Sequence, residues 1–158
     1  VNNLKKEAKK QGIAESRIIF APHLPFMIEH LNRLHLADLF LDTLPYNAHT
    51  TCSDALRMGV PVLTCMGRSF VSRVAGSLLN ALNLPELITH TPEEYESLAI
   101  ELATNPDKLK TIKDKLAKNI STAPLYDTKL FTKNLESAYT QMYERHHQGL
   151  KPDHIYVE

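Results

Sequence analysis

The chain has 158 residues, 43% hydrophobic and 23% charged, which is enough apolar material for one domain with a real core and too much for a disordered segment. Lysine plus arginine equals aspartate plus glutamate at 18 each, so net charge makes no case for nucleic-acid or membrane binding. The two cysteines, Cys52 and Cys65, have no Cys-x-x-Cys spacing, which speaks against a disulfide scaffold or structural zinc and for a reducing, cytoplasmic setting, and no apolar run approaches the ~20 residues of a membrane span.

The chain opens on Val1-Asn2-Asn3-Leu4-Lys5-Lys6, with neither an initiator Met nor an apolar signal sequence, and reads as a piece of a longer protein. Residues 2–11 are a lysine-rich amphipathic helix that Gly12 ends. Arg17 to Ala21 is apolar and β-branched, the pattern of a buried first strand. Pro22 and Pro25 force a loop, and Met27 to Leu36 forms a helix carrying His30, Arg33 and His35. Ala37 to Asp42 is the second expected strand, ended before Pro45. His49-Thr50-Thr51 then opens a helix over 50–58, closed by Gly59-Val60-Pro61, and Pro61 to Cys65 is a third strand.

Gly67-Arg68-Ser69 reads as a turn, followed by a helix over 71–82 with apolar residues at helical spacing. Glu86 to Thr89 is a short fourth strand. Thr91-Pro92-Glu93-Glu94 is a strong helix start, with a Thr N-cap, Pro at the first helical position and acids after it. Asn105-Pro106-Asp107 starts the next helix, with Leu109, Ile112, Leu116 and Ile120 on one face. A last helix spans about 128–147, with Phe131, Leu135, Ala138, Tyr139, Met142 and Tyr143 expected inward, and Gly149 opens a polar tail.

Strands alternating with helices across short loops imply an α/β fold: a Rossmann-like parallel sheet with helices on both faces, plus C-terminal helices. The expected organisation is an α/β core over 1–105, helices over 106–148 and a tail over 149–158. Ligands of such sheets bind beyond the carboxyl ends of the strands, here the loops 21–30, 43–50 and 65–70.

His49, Thr50 and Thr51 stand where a strand delivers the chain to a helix N-terminus. There the first-turn N–H groups lack intrahelical partners and the dipole favours an anion, so a diphosphate fits; an ordinary Thr cap fits the same letters. Asp54, one turn on, can accept from ribose hydroxyls or pair with Arg57. His30 and Arg33 share a helix face and can stack on and hydrogen-bond a base, or be two surface residues. Arg68 and Arg73 flank a turn and can touch phosphate, and Arg73 can equally serve as a structural ion-pair partner. Cys52 beside His49 makes a Cys–His nucleophile conceivable, but nothing supplies a third, orienting residue. Gly-x-Gly-x-x-Gly, Walker and Asp-x-Asp sequences are absent, which argues against dinucleotide, P-loop and metal-bridged diphosphate binding.

Read together, Arg17-Ile-Ile-Phe-Ala-Pro, Glu29-His30, Ala37-Asp38-Leu-Phe-Leu-Asp42-Thr43, Pro45-Tyr-Asn-Ala-His-Thr-Thr51, Asp54-Ala-Leu, Gly59-Val-Pro, Ser72-Arg73-Val-Ala and Lys151-Pro-Asp-His154 resemble the C-terminal part of the protein O-linked N-acetylglucosamine transferase family, bacterial relatives included. The resemblance covers nearly the whole chain. It implies the C-terminal half of a GT-B glycosyltransferase that moves N-acetylglucosamine from UDP-GlcNAc to Ser or Thr of proteins, with inversion and with no metal or other cofactor. It implies that His49, Thr50 and Thr51 hold the diphosphate and Asp54 the ribose. His30 packs on uracil, Arg33 hydrogen-bonds it, and the backbone at Leu24 and Pro25 touches the base. Animal relatives carry a ribose-contacting lysine in the loop after the first strand, and Pro25 to Glu29 offers none.

The same resemblance places no catalytic base in this stretch. The base is expected in the N-terminal half, and protein substrates are presented by tetratricopeptide repeats further upstream. The expected partners are therefore a UDP-sugar and, through those other parts, proteins. Two other readings fit the donor motifs: a UDP-binding or protein-interaction module inactive by itself, and a UDP-sugar epimerase-like domain.

Overall fold

Val62–Cys65 (β2) is apolar or β-branched but for its terminal cysteine, and all four residues are buried, as expected of a strand covered on both faces. It pairs in parallel with Phe40–Leu41 (β1) on one side and Ile88–Thr89 (β3) on the other, giving the sheet order β1-β2-β3. The structure, a computed structural model, describes residues 2–157.

The helices are Asn2–Lys10 (α1), Met27–Leu34 (α2), Thr50–Arg57 (α3), Val74–Ala81 (α4), Pro92–Thr104 (α5), Pro106–Ile120 (α6) and Thr128–His147 (α7). α3 connects β1 to β2 and α4 connects β2 to β3, so each parallel pair is joined by a helical crossover. α3, α4 and α5 all pack on β2. One core holds Leu56 from α3, Val62 from β2, Leu79 from α4, Leu102 from α5 and Ile112 and Leu116 from α6. Ile112, Leu116 and Ile120 of the stripe expected on residues 109–120 therefore face this core, and α6 packs on α3 and α5.

The helix starts follow their caps. The Thr91 hydroxyl accepts from Glu94 N–H at 3.1 Å, and the Asn105 side chain accepts from Lys108 N–H at 3.0 Å. Gly12 and Gly59 take positive φ, +75° and +79°, where a side chain is strained and a helix can stop.

Two expectations fail. Arg17 to Ala21 is not a strand: Glu15–Arg17 is a 3₁₀ turn, the next residues pair with nothing in the sheet, and Ile19 is 85% exposed. An apolar run makes a strand only where a neighbour supplies the other half of the ladder, and β1 pairs on one side only, with β2. The inward face expected for α7 is also not inward. Phe131, Tyr139, Met142 and Tyr143 are exposed, and the helix buries no residue fully. Periodicity tells which residues share a face, not whether another element covers it. The remaining differences are of length. The second and fourth expected strands shorten to β1 and β3, Pro85–Leu87 and Phe70–Ser72 are 3₁₀ turns, and α4 starts three residues late.

Candidate functional site

The carboxyl end of β1 runs into a loop over 43–48 and then into α3. The loop holds its shape through polar contacts with its own start. Asp42, at the end of β1 and 4% exposed, accepts from Thr43 N–H at 2.8 Å and from Ala48 N–H at 2.6 Å. The Asn47 side-chain amide donates to the Thr43 carbonyl at 2.9 Å, and the Thr43 hydroxyl donates to the Tyr46 carbonyl at 2.7 Å.

His49 is the N-cap residue of α3, and its side chain makes no capping hydrogen bond. The first helical bond from within this turn is Ser53 N–H to the His49 carbonyl, at 3.1 Å. The N–H groups ahead of that bond thus have no intrahelical acceptor, and the side chains of Thr50 and Thr51 beside them are exposed. The His49 imidazole stacks on Tyr46 with ring centroids 5.2 Å apart and meets the edge of Phe70 at 5.9 Å. Its Nε2 is buried and has no hydrogen-bond partner among the described residues. A buried orphan nitrogen costs about 1–3 kcal/mol unless something else satisfies it. Phe70 is carried by a tight turn: Gly67 N–H donates to the Ser72 carbonyl at 2.9 Å, and a Cβ on Gly67 would lie 2.5 Å from the Ser72 hydroxyl oxygen.

The second cluster joins α2 to α3. His30 Nε2 lies 3.5 Å from an Asp54 carboxylate oxygen. Arg33 Nη2 is 3.2 Å from His30 Nδ1, and its Nη1 donates to the Pro22 carbonyl at 2.8 Å. Because a guanidinium only donates, His30 Nδ1 carries the lone pair and the ring proton sits on Nε2, toward Asp54. Arg33 also ties the Pro22 end of the loop holding Leu24 and Pro25 to α2, and three of its five N–H donors have no acceptor among the described residues. His30, Arg33 and Asp54, separated in sequence, form one hydrogen-bonded unit. The partner of Asp54 is His30 rather than Arg57. Arg68 and Arg73 are exposed beside the Gly67–Ser72 turn.

Cys52 faces away from this surface, fully buried in the core. Burial, and then the charge of Asp42, push its thiol from the ordinary 9.0 up to about 12. A Cys–His nucleophile is thereby corrected: at neutral pH the sulfur is a thiol packed as a small hydrophobe. Iodoacetamide at pH 8 is expected to label Cys52 in denaturant and hardly at all in the native protein, read by mass spectrometry. Rapid native labelling would contradict this burial.

The sequence reading missed Asp42 as the organiser of the loop and Tyr46 and Phe70 as the walls around His49. The buried strand-end position of Asp42, before a Pro-containing turn, was the available signal. No helix among the described residues is long and apolar enough to cross a membrane.

With this geometry in hand, comparison with known proteins is decisive. Residues 1–135 match the profile of glycosyl transferase family 41. The chain belongs to that family. It is 40% identical over 151 residues, 95% of its length, to a probable UDP-N-acetylglucosamine–peptide N-acetylglucosaminyltransferase, SEC, of Arabidopsis thaliana. It is 37% identical over 97% of its length to the UDP-N-acetylglucosamine–peptide N-acetylglucosaminyltransferase of Caenorhabditis elegans. A solved O-GlcNAc transferase mutant from Thermobaculum terrenum superposes over 90% of the chain with a TM-score of 0.79 and 33% identity. The chain spans 15% and 13% of the two curated relatives and 27% of the solved chain. Its fold is the Rossmann-like, C-terminal half of a GT-B glycosyltransferase.

Proposed function

We propose that this family 41 chain is the donor-binding half of an inverting, metal-independent glycosyltransferase that moves N-acetylglucosamine from UDP-GlcNAc to Ser or Thr hydroxyls of proteins. The observation that carries the reading is the uncapped N-terminus of α3 with His49 beside it, its Nε2 buried and unpartnered. A diphosphate supplies the missing acceptor for both.

As the glycosidic bond breaks, negative charge gathers on the β-phosphate of the leaving UDP. In this reading the first-turn N–H groups of α3, the Thr50 and Thr51 hydroxyls and a proton on His49 Nε2 stabilise that charge, as an oxyanion hole does. Helix, hydroxyls and imidazole neutralise it in this reading, so a bridging cation has no role. His30 packs on the uracil ring, the free N–H groups of Arg33 and the backbone at Leu24 and Pro25 read its edge, and Asp54 accepts from the ribose. The base that deprotonates the acceptor hydroxyl lies in the other half of the enzyme, so this chain alone binds donor and transfers nothing. Acceptor proteins are held elsewhere too.

Isothermal calorimetry with UDP tests the donor site. Binding at millimolar Kd or tighter is expected, and Arg33→Ala weakens it about 10- to 100-fold through lost charge-assisted hydrogen bonds. Absence of UDP binding by the parent chain, with native folding shown by circular dichroism, contradicts the reading.

A further inference from the structure

We propose that Asp42 is a positioning residue of the transfer reaction, holding His49 and the first turn of α3 in register with the leaving diphosphate. The proposal rests on the donor-site reading above. Every polar group of Asp42 is committed to the scaffold. One carboxylate oxygen accepts the N–H groups of Thr43 and Ala48 at 2.8 and 2.6 Å, and the other accepts the Thr64 hydroxyl of β2 at 2.7 Å. Its own N–H donates to the Leu63 carbonyl at 3.0 Å, and its carbonyl accepts the Tyr95 hydroxyl of α5 at 2.8 Å. Thr64 is held in turn, since its carbonyl accepts the Thr89 hydroxyl of β3 at 2.9 Å.

The two backbone bonds matter most. Thr43 and Ala48 are the first and last residues of the loop, so one carboxylate oxygen clamps both of its ends to the sheet. Ala48 directly precedes His49, the N-cap residue of α3. The position of the imidazole and of the first-turn N–H groups relative to β1 and β2 is therefore set by this carboxylate. The loop is also tied to the wall around His49, because Asn47 N–H donates to the Val71 carbonyl at 2.9 Å, next to Phe70. Charge stabilisation in a transition state depends on donors standing where the charge develops, and a displacement of ~1 Å can cost on the order of 10²-fold in rate. Asp42 touches neither sugar nor phosphate in this arrangement; it acts through the residues it holds.

Asp42→Asn is close to isosteric: its amide oxygen still accepts from Thr43 and Ala48 N–H and its NH₂ can donate to the Thr64 hydroxyl, but the charge that strengthens all three bonds is gone, which loosens the clamp. The test is a double-mutant cycle in the complete enzyme, following kcat and the KM for UDP-GlcNAc. Asp42→Asn is expected to lower kcat about 10-fold or more, with KM moving less than about 3-fold. In a His49→Ala background the same change is expected to cost clearly less than in the parent, because one of the groups it positions, the imidazole, is gone while the first-turn N–H groups remain. Thr64→Val, which deletes one bond to the carboxylate, follows the same non-additive pattern, and Thr64→Ser recovers most of the loss. Should Asp42→Asn fail to fold, the Thr64 cycle decides. An equal loss in both backgrounds marks a merely structural residue and overturns the proposal, as does an unchanged kcat for Asp42→Asn and Thr64→Val. An unchanged kcat for His49→Ala overturns the donor-site reading itself, and with it this proposal.

Discussion

In the complete enzyme, His49→Ala is expected to lower kcat about 10²- to 10³-fold, the range for removing one preorganised donor from a site where negative charge develops. The effect on folding is expected to be small, and two opposing terms say why. The imidazole loses its packing on Tyr46 and Phe70, and ring pairs of this kind contribute about 0.5–1.5 kcal/mol. Against that, deleting the ring removes a buried nitrogen with no partner, whose desolvation costs about 1–3 kcal/mol. The α3 N-terminus loses nothing directly, since the His49 side chain does not cap it. The expected signature is thus a large fall in turnover with a thermal midpoint close to the parent's. UDP-GlcNAc turnover and differential scanning calorimetry measure the two sides. Unchanged turnover removes His49 from the chemistry, and a collapsed midpoint with proportionate activity loss makes it a packing residue.

That contrast shows what a one-dimensional reading can and cannot carry. Helix starts were legible wherever the cap is local. Thr91 and Asn105 each bond a backbone N–H three residues ahead, so the letters alone contain the geometry. Buried strands were legible at Val62–Cys65, where apolar and β-branched residues run together, and illegible at Arg17 to Ala21, whose similar run has no ladder partner. The face shared by Phe131, Tyr139 and Met142 was legible, its exposure was not. Candidate site residues were recognisable as motifs, but their grouping was not. His30 and Asp54 meet between two helices, and the clamp on the 43–48 loop spans β1 and β2. Such contacts are set by how elements stack, which local periodicity does not encode.

The same helix that presents His49 anchors the core, and this yields the second large effect. On α3, Thr50, Thr51 and Asp54 lie on one side, and Cys52, Ala55 and Leu56 are wholly buried on the other. Leu56→Ala is expected to destabilise the fold by about 2–5 kcal/mol, the lost transfer free energy plus the cavity left behind. That is a large share of the roughly 5–15 kcal/mol of a typical domain. The donor face keeps its groups, so UDP affinity of the folded variant is expected to stay within about 3-fold of the parent if the two faces of α3 act independently. Binding only to the folded state then adds back about 2.7 kcal/mol at UDP one hundred times its Kd. Urea titrations with and without UDP are expected to show a lowered midpoint for Leu56→Ala, an unchanged slope and a ligand-dependent recovery of the same size in parent and variant. A loss of UDP affinity beyond the loss of folded population would mean that the buried side of α3 also shapes the donor cradle, and that the two faces cannot be treated as independent.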